Sequence, residues 1–186
     1  LEFVRRQELR YGENPQQAST FYVEENLTEP CVANSRQVAG PVLSFNNILD
    51  INTGIELAKE FDRPAAVLIK HTNPCGAGTA NRLRDAFMAA YETDPLSAAG
   101  CSLVLNRPLG VHVARAIADV RGEVDGREAP FFLESLVAPR FEEDALGVLG
   151  GSTDWFARTR MLRTGALSWC SIDERASDYR RVTGGL

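Results

Sequence analysis

Lysine and histidine are scarce in this 186-residue sequence. Eighteen of its 20 basic residues are arginine, and its two lysines are Lys59 and Lys70. Its two histidines are His71 and His112. One lysine and one histidine are adjacent, so the pair Lys70-His71 is the first candidate for a chemical role.

Several other features are missing altogether. No apolar run approaches the 18 or more residues of a membrane helix, so no membrane partner is expected. The opening sequence LEFVRRQELR lacks the apolar centre of a signal peptide. The four cysteines form no CxxC pair and, without an export signal, are expected to be reduced thiols in a cytoplasmic protein. The net charge is −5 and the arginines are scattered, which argues against a nucleic-acid partner.

The remaining composition is that of a globular protein, with 44% hydrophobic and 24% charged residues. A chain of this length suggests one domain or two small ones. It can bury roughly 70% of the surface that it exposes when unfolded, so a self-sufficient core is expected.

Short apolar runs alternate with amphipathic segments along the chain. Apolar residues recur every three or four positions in four segments, which predicts helices at residues 44–61, 79–93, 111–121 and 141–149. Strand propensity and continuous apolar runs predict strands at 20–23, 65–69, 102–105, 131–138 and near 161–169. Residues 24–40 are predicted to be a loop with a short edge strand, and 70–76 a turn. The alternation of strand and helix predicts a layered α/β domain.

The character of the chain changes near residue 150. Residues 1–150 carry the α/β pattern and are predicted to form one subdomain. In residues 151–186, tryptophan and tyrosine stand among arginines and turn residues. This divergent tail is expected to pack on the subdomain or to extend it.

The pair Lys70-His71 directly follows the predicted strand 65–69. Adjacent residues in a regular strand point to opposite faces, so both side chains can serve one site only if the strand ends and the backbone turns there. Active sites of α/β sheets commonly lie at the carboxyl ends of strands. Histidine can take a proton near neutral pH, and lysine can neutralise a developing negative charge. From spacing alone, a surface lysine beside a packed histidine is the commoner arrangement, so both interpretations stay open.

Other polar segments could complete such a site. Arg10 and Tyr11 precede a Gly/Pro turn and could hold a phosphate or carboxamide, although a plain surface turn has the same composition. Asn47 lies at a predicted helix start, where it could bind a polar ligand or cap the helix. Gly100 precedes a strand and could allow close approach of a planar ligand or simply form a turn. Glu134, inside the strand 131–138, would be solvated on the outward face and would need a donor on the inward face.

No metal site is predicted. His71 and the dipeptide Pro74-Cys75 resemble part of the zinc deaminase signature H-x-E…P-C-x-x-C. Residue 73 is Asn rather than Glu, however, and residue 78 is Gly rather than Cys. The general acid and zinc ligands of that signature are therefore missing, and metal-dependent deamination is excluded.

Six segments, taken in order, resemble one family. They are LRYGENPQQ, SFNNILDINTG, AAVLIKHTNPCGAGTA, AYETDPLSAAG, FLESLVAPRFEEDAL and DYRRVTGGL. They resemble the formyltransferase part of the bifunctional purine enzyme AICAR formyltransferase/IMP cyclohydrolase, and the resemblance covers essentially residues 9–149 and the last nine residues. The resemblance implies formyl transfer from 10-formyltetrahydrofolate to the 5-amino group of AICAR in IMP biosynthesis. It also implies a zinc-free, cytidine-deaminase-like α/β/α fold with a mixed sheet, no metal cofactor, and a homodimer.

The resemblance assigns a role to each candidate residue. His71 matches the proton acceptor that deprotonates the attacking amine, and Lys70 matches the residue that stabilises the transition state and the departing folate nitrogen. Positions that hold the nucleotide or line the pocket of its base are matched by Arg10, Tyr11, Asn47, Asn73, Gly100 and Glu134.

Two departures from the family pattern keep alternatives open. Ala99 stands where the pattern usually has phenylalanine, and residues 150–177 match no family block. The chain is expected to cover the first half of the transferase region without the cyclohydrolase domain, so no cyclohydrolase activity is predicted. The alternatives are a short homologue that formylates another amino nucleotide or heterocycle, and a non-catalytic half-domain that binds nucleotide.

Overall fold

A computed structural model describes residues 2–124 and 127–167, with the backbone alone for residues 122–124 and 127–130. The strands in these ranges are β1 (Val4–Glu8), β2 (Thr20–Val23), β3 (Arg36–Ala39), β4 (Ala65–Lys70), β5 (Asn73–Thr79), β6 (Cys101–Leu105), β7 (Arg121–Val124), β8 (Arg127–Pro130), β9 (Leu133–Ala138) and β10 (Arg160–Arg163). The helices are α1 (Phe45–Lys59), α2 (Leu83–Thr93), α3 (Pro95–Ala98), α4 (Val111–Asp119) and α5 (Glu143–Ser152).

Six strands form one mixed sheet in the order β3-β10-β9-β6-β4-β5. The neighbours β10 and β9 are parallel, as are β9 and β6, whereas every other neighbouring pair is antiparallel. Two hairpins, β1-β2 and β7-β8, lie outside this sheet.

Helices cover both faces of the sheet. On one face, Ile51 and Ile55 of α1 pack with Val67, Val104 and Val137 of the central strands. On the other face, α2, α4 and α5 contribute to a larger core whose apolar members include Phe87, Ile117, Leu149, Leu68, Leu103 and Leu136. Successive residues of a strand point to opposite faces, so a strand that is apolar throughout can supply both cores. The predicted α/β/α layers and mixed sheet are confirmed.

The secondary-structure predictions differ from the structure mainly at boundaries. The second predicted helix begins at Leu83 rather than at residue 79, the third ends at Asp119, and the strand predicted at 131–138 begins at Leu133. The edge strand predicted within 24–40 is β3. Prediction of residues 70–76 as one long turn is wrong, because the chain turns back after two residues and β5 starts at Asn73. The strands β1, β7 and β8 were not predicted.

The described part of the predicted tail belongs to the same sheet. β10 lies between β9 and β3, where the tail prediction placed a strand, and Trp155 just before it is buried in the larger core. The boundary at residue 150 stays a prediction. The expectations for residues 168–186, including the segment DYRRVTGGL, lie outside the described residues.

Lys59 closes α1 with a buried ammonium group. Its side chain is only 7% exposed, and Nζ donates to Glu56 on the same helix at 2.9 Å and to Glu29 in the β2–β3 connection at 2.5 Å. Burial alone would lower the pKa of Lys59, but the hydrogen bonds to Glu29 and Glu56 outweigh it and raise the pKa above its usual 10.5. The lysine therefore ties a long loop to the first helix.

Replacing Lys59 by methionine is expected to lower the free energy of unfolding by about 1–2 kcal/mol at neutral pH, since both ion pairs are lost while the half-exposed glutamates regain water. Because the folded pKa is raised, this contribution is complete below the unfolded pKa and disappears as pH rises through the folded pKa. Urea unfolding from neutral to strongly alkaline pH should show the gap between wild type and variant closing above the usual lysine pKa. Glu25→Gln, at an exposed position in the same connection, is the control, and a gap independent of pH would contradict the prediction.

Candidate functional site

Three of the predicted site residues, Lys70, Gly100 and Glu134, lie at one end of the sheet. Strand pairing sets Ile69, Ser102, Ser135 and Arg160 side by side across β4, β6, β9 and β10. The carboxyl end of β4 therefore lies beside the amino ends of three other strands, because β4 runs antiparallel to β6. This end, called the site end below, holds Lys70, Gly100, Glu134 and Arg160.

The pair Lys70-His71 opens a two-residue hairpin turn between β4 and β5. Lys70 pairs with Asn73, while His71 and Thr72 between them have φ angles of +54° and +61°. Two left-handed residues in a row are what a type I′ turn requires, although asparagine and glycine usually fill it. A β-branched threonine in this conformation is strained, and such strain concentrates at functional sites.

The His71 side chain is exposed at the tip of this turn. Its carbonyl oxygen accepts hydrogen bonds from Thr72 Oγ1 at 2.7 Å and from Asn73 Nδ2 at 2.9 Å. No hydrogen bond to the imidazole ring is present in the described parts of the chain. Both ring nitrogens are thus available for a substrate, and Asn73 supports the turn.

A carboxylate on α1 fastens the turn from the side. Oδ1 of Asp50 accepts the Thr72 N–H at 2.7 Å. Burial raises the pKa of Asp50, and it is opposed by the Thr72 N–H bond, the His71 charge and the His71 N–H, while the Glu134 charge raises it further. Asp50, His71 and Glu134 therefore share one electrostatic environment.

Lys70 is directed to the turn before β6. Its Nζ donates to the carbonyl oxygen of Ala99 at 2.9 Å. An ammonium group has three N–H donors, so this bond fixes the side chain and leaves two donors for a ligand. Ala99 has φ −67° and ψ 125°, and Gly100 after it has φ +77°, as in a type II turn.

Gly100 has two reasons to be glycine. Its positive φ disfavours a side chain, and a Cβ there would stand 2.9 Å from the Phe132 ring. Its N–H donates to the Phe132 carbonyl oxygen at 2.9 Å, which ties the entrance of β6 to the entrance of β9. The backbone is thus close-packed beside the Lys70 ammonium.

Glu134 sits on an irregularity of β9. Cys101 pairs with Leu133 but Ser102 pairs with Ser135, so Glu134 is an extra residue of the kind that defines a β-bulge. Its carboxylate accepts a hydrogen bond from Arg160, whose side chain is only 6% exposed. The sequence had left open whether Glu134 is solvated or needs a donor. The structure gives it a donor while leaving it half-exposed.

Arg10 and Tyr11 approach the same end through backbone hydrogen bonds to Leu43 and to Phe45, the first residue of α1. The Arg10 N–H donates to the Leu43 carbonyl oxygen at 2.9 Å, and the Phe45 N–H donates to the Tyr11 carbonyl oxygen at 3.1 Å. The Arg10 guanidinium lies over the Tyr11 ring, 5.6 Å from its centroid.

A cavity of about 360 Å³ opens between this segment and the strand ends. Three arginines and one glutamate lie on its wall together with aromatic rings; the lining includes Arg10, Tyr11, Glu134, Trp155, Arg158 and Arg160. Nε of Arg160 is buried and has no hydrogen-bond partner in the described parts of the protein. The positive excess and the spare donor suit an anionic group such as phosphate.

Asn47 caps helix α1, which is one of the two roles that the sequence allowed, the other being ligand binding. Ser44 and Asn47 form a capping box at the start of α1, in which Oδ1 of Asn47 accepts from the Ser44 N–H and from Ser44 Oγ, each at 3.0 Å. Asn47 is only 7% exposed. A ligand contact by Asn47 stays a prediction, and it would have to use the Nδ2 donors.

Cysteine chemistry is disfavoured at the site end. Burial raises the pKa of the Cys75 thiol and raises that of Cys101 well above its usual value. A thiol must ionise to act as a nucleophile, so these two side chains are poor candidates at neutral pH.

Sequence reasoning missed Asp50, Arg158 and Arg160, as well as the buried pair Ser102 and Ser135, whose hydroxyl oxygens have no partner in the described chain. An aspartate on an amphipathic helix is normally interpreted as a residue of the solvent-exposed face. The arginines are 2 of 18 and lie in a segment without a motif. The one available signal was the oppositely charged Glu134 within an apolar strand.

Residues 2–124 and 127–167 lack two further kinds of feature. These ranges contain no cluster of three or more His, Cys, Asp or Glu side chains placed to hold a metal ion. They also contain no helix with the length and apolar character needed to cross a membrane.

An exposed imidazole follows a lysine held by the Ala99 carbonyl oxygen, at the end of the sheet where an arginine-lined cavity opens. Neither Lys70 nor His71 lines that cavity, but the arrangement is suited to proton and group transfer on an anionic substrate. The family model described as AICARFT/IMPCHase bienzyme matches residues 1–186, and the chain belongs to that family. The family combines transferase and cyclohydrolase activities of purine biosynthesis.

Proposed function

We propose that this chain carries formyl transfer from 10-formyltetrahydrofolate to the 5-amino group of AICAR. The observation that carries the proposal is the joining of Lys70 and His71, in one strained turn, to the end of the sheet where the arginine-lined cavity opens. The family supplies the reaction class.

In the proposed reaction, the amine nitrogen of AICAR attacks the formyl carbon and forms the new C–N bond. His71 takes the proton that the amine loses, because an aromatic amine is a weak nucleophile until a base removes that proton. Lys70 stabilises the negative oxygen of the tetrahedral intermediate with one of its two spare N–H donors. The bond from the formyl carbon to the folate nitrogen then breaks, and that nitrogen takes up a proton.

The cavity has the charge to hold the 5′-phosphate of AICAR. Arg10, Arg158 and Arg160 line it, and among the described residues on its wall Glu134 is the one acidic side chain. Glu134 is already bonded to Arg160, so the two exposed arginines carry most of the free positive charge. The bulge at Glu134 leaves its carboxylate half-exposed and able to accept a hydrogen bond from the substrate.

Compartment, oligomeric state and small-molecule partners are part of the proposal. We propose that it works in the cytoplasm as a homodimer, with AICAR and the folate as its small-molecule partners. Sedimentation at several protein concentrations tests the dimer, and a monomer that turns over at full rate would defeat that part.

The function is tested by mixing the purified chain with AICAR and 10-formyltetrahydrofolate and measuring loss of the folate and appearance of formyl-AICAR. The matched control substrate is the nucleoside of AICAR, which keeps the amine but lacks the phosphate. Turnover of AICAR with a much higher KM for the nucleoside supports the proposal and the phosphate cavity together.

Two outcomes of that assay would redirect the assignment. Turnover of a different amino nucleotide or heterocycle, with AICAR inert, would favour the short homologue whose base pocket is altered at Ala99. AICAR binding in calorimetry without turnover would instead support a non-catalytic nucleotide-binding half-domain.

A further inference from the structure

The catalytic turn is not self-supporting. Thr72 is β-branched and left-handed, and His71 before it is left-handed as well. This conformation carries a steric cost for a residue with a side chain, and it persists only where the surrounding structure enforces it. Neither position is the glycine that would relieve the strain, so the geometry needs an outside constraint.

Asp50, on the well-packed helix α1, provides that constraint. It lies on α1, whose start is fixed by the Ser44–Asn47 capping box and whose Ile51 is fully buried in the core. Its carboxylate accepts the Thr72 N–H at 2.7 Å and also interacts with the His71 N–H. The Thr72 N–H is thus bonded to this carboxylate, and the backbone of His71 adds a second favourable interaction with its charge.

The same carboxylate interacts electrostatically with His71. Charged and titratable groups around the turn come from every adjoining element: Asp50 from α1, Lys70 from β4, Cys75 from β5, Asp94 after α2 and Glu134 from β9. Lys70 is held against the Ala99 carbonyl, and Glu134 is bonded to Arg160. Of these groups, Asp50 is the carboxylate that both contacts the turn and interacts with His71.

We propose that Asp50 is a positioning residue for His71, which holds the His71–Thr72 turn in its left-handed conformation and stabilises the positive charge that His71 gains when it accepts a proton. The role of His71 as proton acceptor rests on the proposed function. The contact of Asp50 with the turn and with the His71 charge does not.

The direct test is a histidine NMR titration of the full chain, which needs no turnover. The chain has two imidazoles, and His112→Gln assigns their signals. Asp50→Asn keeps a side-chain oxygen that can accept the Thr72 N–H but removes the charge. The midpoint of the His71 signal should lie at lower pH in Asp50→Asn than in the wild type, while that of His112 stays fixed. Asp62→Asn, an exposed aspartate at the opposite end of the sheet, is the matched control and should move neither midpoint.

Activity separates the two parts of the proposal. Asp50→Asn should lower kcat by roughly 3–10-fold and shift the acid limb of the pH–rate profile by the same amount as the NMR midpoint. Asp50→Ala removes the acceptor as well and should cost more. Adding Thr72→Gly to Asp50→Ala should recover part of that extra loss, because glycine adopts the left-handed conformation without strain.

The outcomes distinguish this proposal from the function on which it rests. An unchanged His71 midpoint in a folded Asp50→Asn chain would overturn the electrostatic role, and a failure of Thr72→Gly to recover activity would overturn the turn-holding role. A shifted midpoint in a chain whose wild type does not formylate AICAR would support the Asp50–His71 coupling while rejecting the proposed function.

Discussion

Replacing His71 by asparagine is expected to lower kcat/KM for formyl transfer by about 10²–10⁴-fold, the range that a general base contributes. Asparagine is the suitable replacement because it tolerates the positive φ that residue 71 adopts and so preserves the turn. It cannot take the proton from the amine, so the loss should fall on kcat with little change in the KM for AICAR. The measurement is steady-state folate consumption near neutral pH.

The chain contains its own control for that result. His112, its other histidine, lies at the exposed start of α4 on the far side of the fold, and His112→Asn should leave the rate unchanged. A His71→Asn chain that is folded and retains more than a tenth of the wild-type rate would rule out the base role.

Replacing Lys70 by methionine is expected to lower kcat by about 10²–10³-fold, the usual cost of losing one donor to a developing oxyanion. Methionine keeps most of the length of the stem in its half-buried slot but removes the N–H donors. Lys70→Arg should not restore the rate, because a planar guanidinium does not fit a position defined by a single bond to the Ala99 carbonyl oxygen. Steady-state kinetics with saturating AICAR measures both variants.

The matched control is again the other residue of its kind. Lys59→Met should lower stability through its lost ion pairs but leave kcat unchanged at a temperature where the variant is folded. If Lys70→Met lost only AICAR affinity, with kcat preserved, Lys70 would bind the ground state and the transition-state role would be wrong.

The layered fold was predictable because its central strands are apolar on both sides. Residues 65–69 and 102–105 are continuous runs, which fits strands covered by helices on both faces. β5 was not predictable in the same way. Its sequence NPCGAGT has a proline and two glycines, and only its last residue, Thr79, is of a type favoured in strands, so it resembles a loop.

The structure explains why β5 has that composition. A Cβ at Gly76 would stand 2.1 Å from the Ala90 carbonyl oxygen, and one at Gly78 would stand 2.4 Å from the Ala86 carbonyl oxygen. Helix α2 therefore lies directly on the strand backbone, and only glycine fits. These glycines are required by the packing of α2 on β5, and local strand propensity cannot predict that contact.

Some residues of the candidate site are marked by their local sequence, whereas others depend on tertiary contacts. Lys70, His71 and Gly100 could be singled out because each stands at the end of an apolar run or in a turn motif. Asp50 and Arg160 act through partners that are distant along the chain, so nothing in their own neighbourhood marks them. Glu134 was noticed, but its direction depended on a bulge that strand alternation cannot reveal.

The direction of the strands at the site end has a consequence for its electrostatic field. Helices α2, α4 and α5 each link strands that run away from the site end, so all three return with their carboxyl ends, the negative poles of their dipoles, toward it. In folds that bind phosphate at helix amino ends, the positive pole of the helix dipole points toward the ligand instead. Among the longer helices described, α1 alone has its amino end toward the site end, so the cations of Arg10, Arg158 and Arg160 supply most of the positive charge at the cavity. The chain has only two lysines, and the cations on the cavity wall are all arginines.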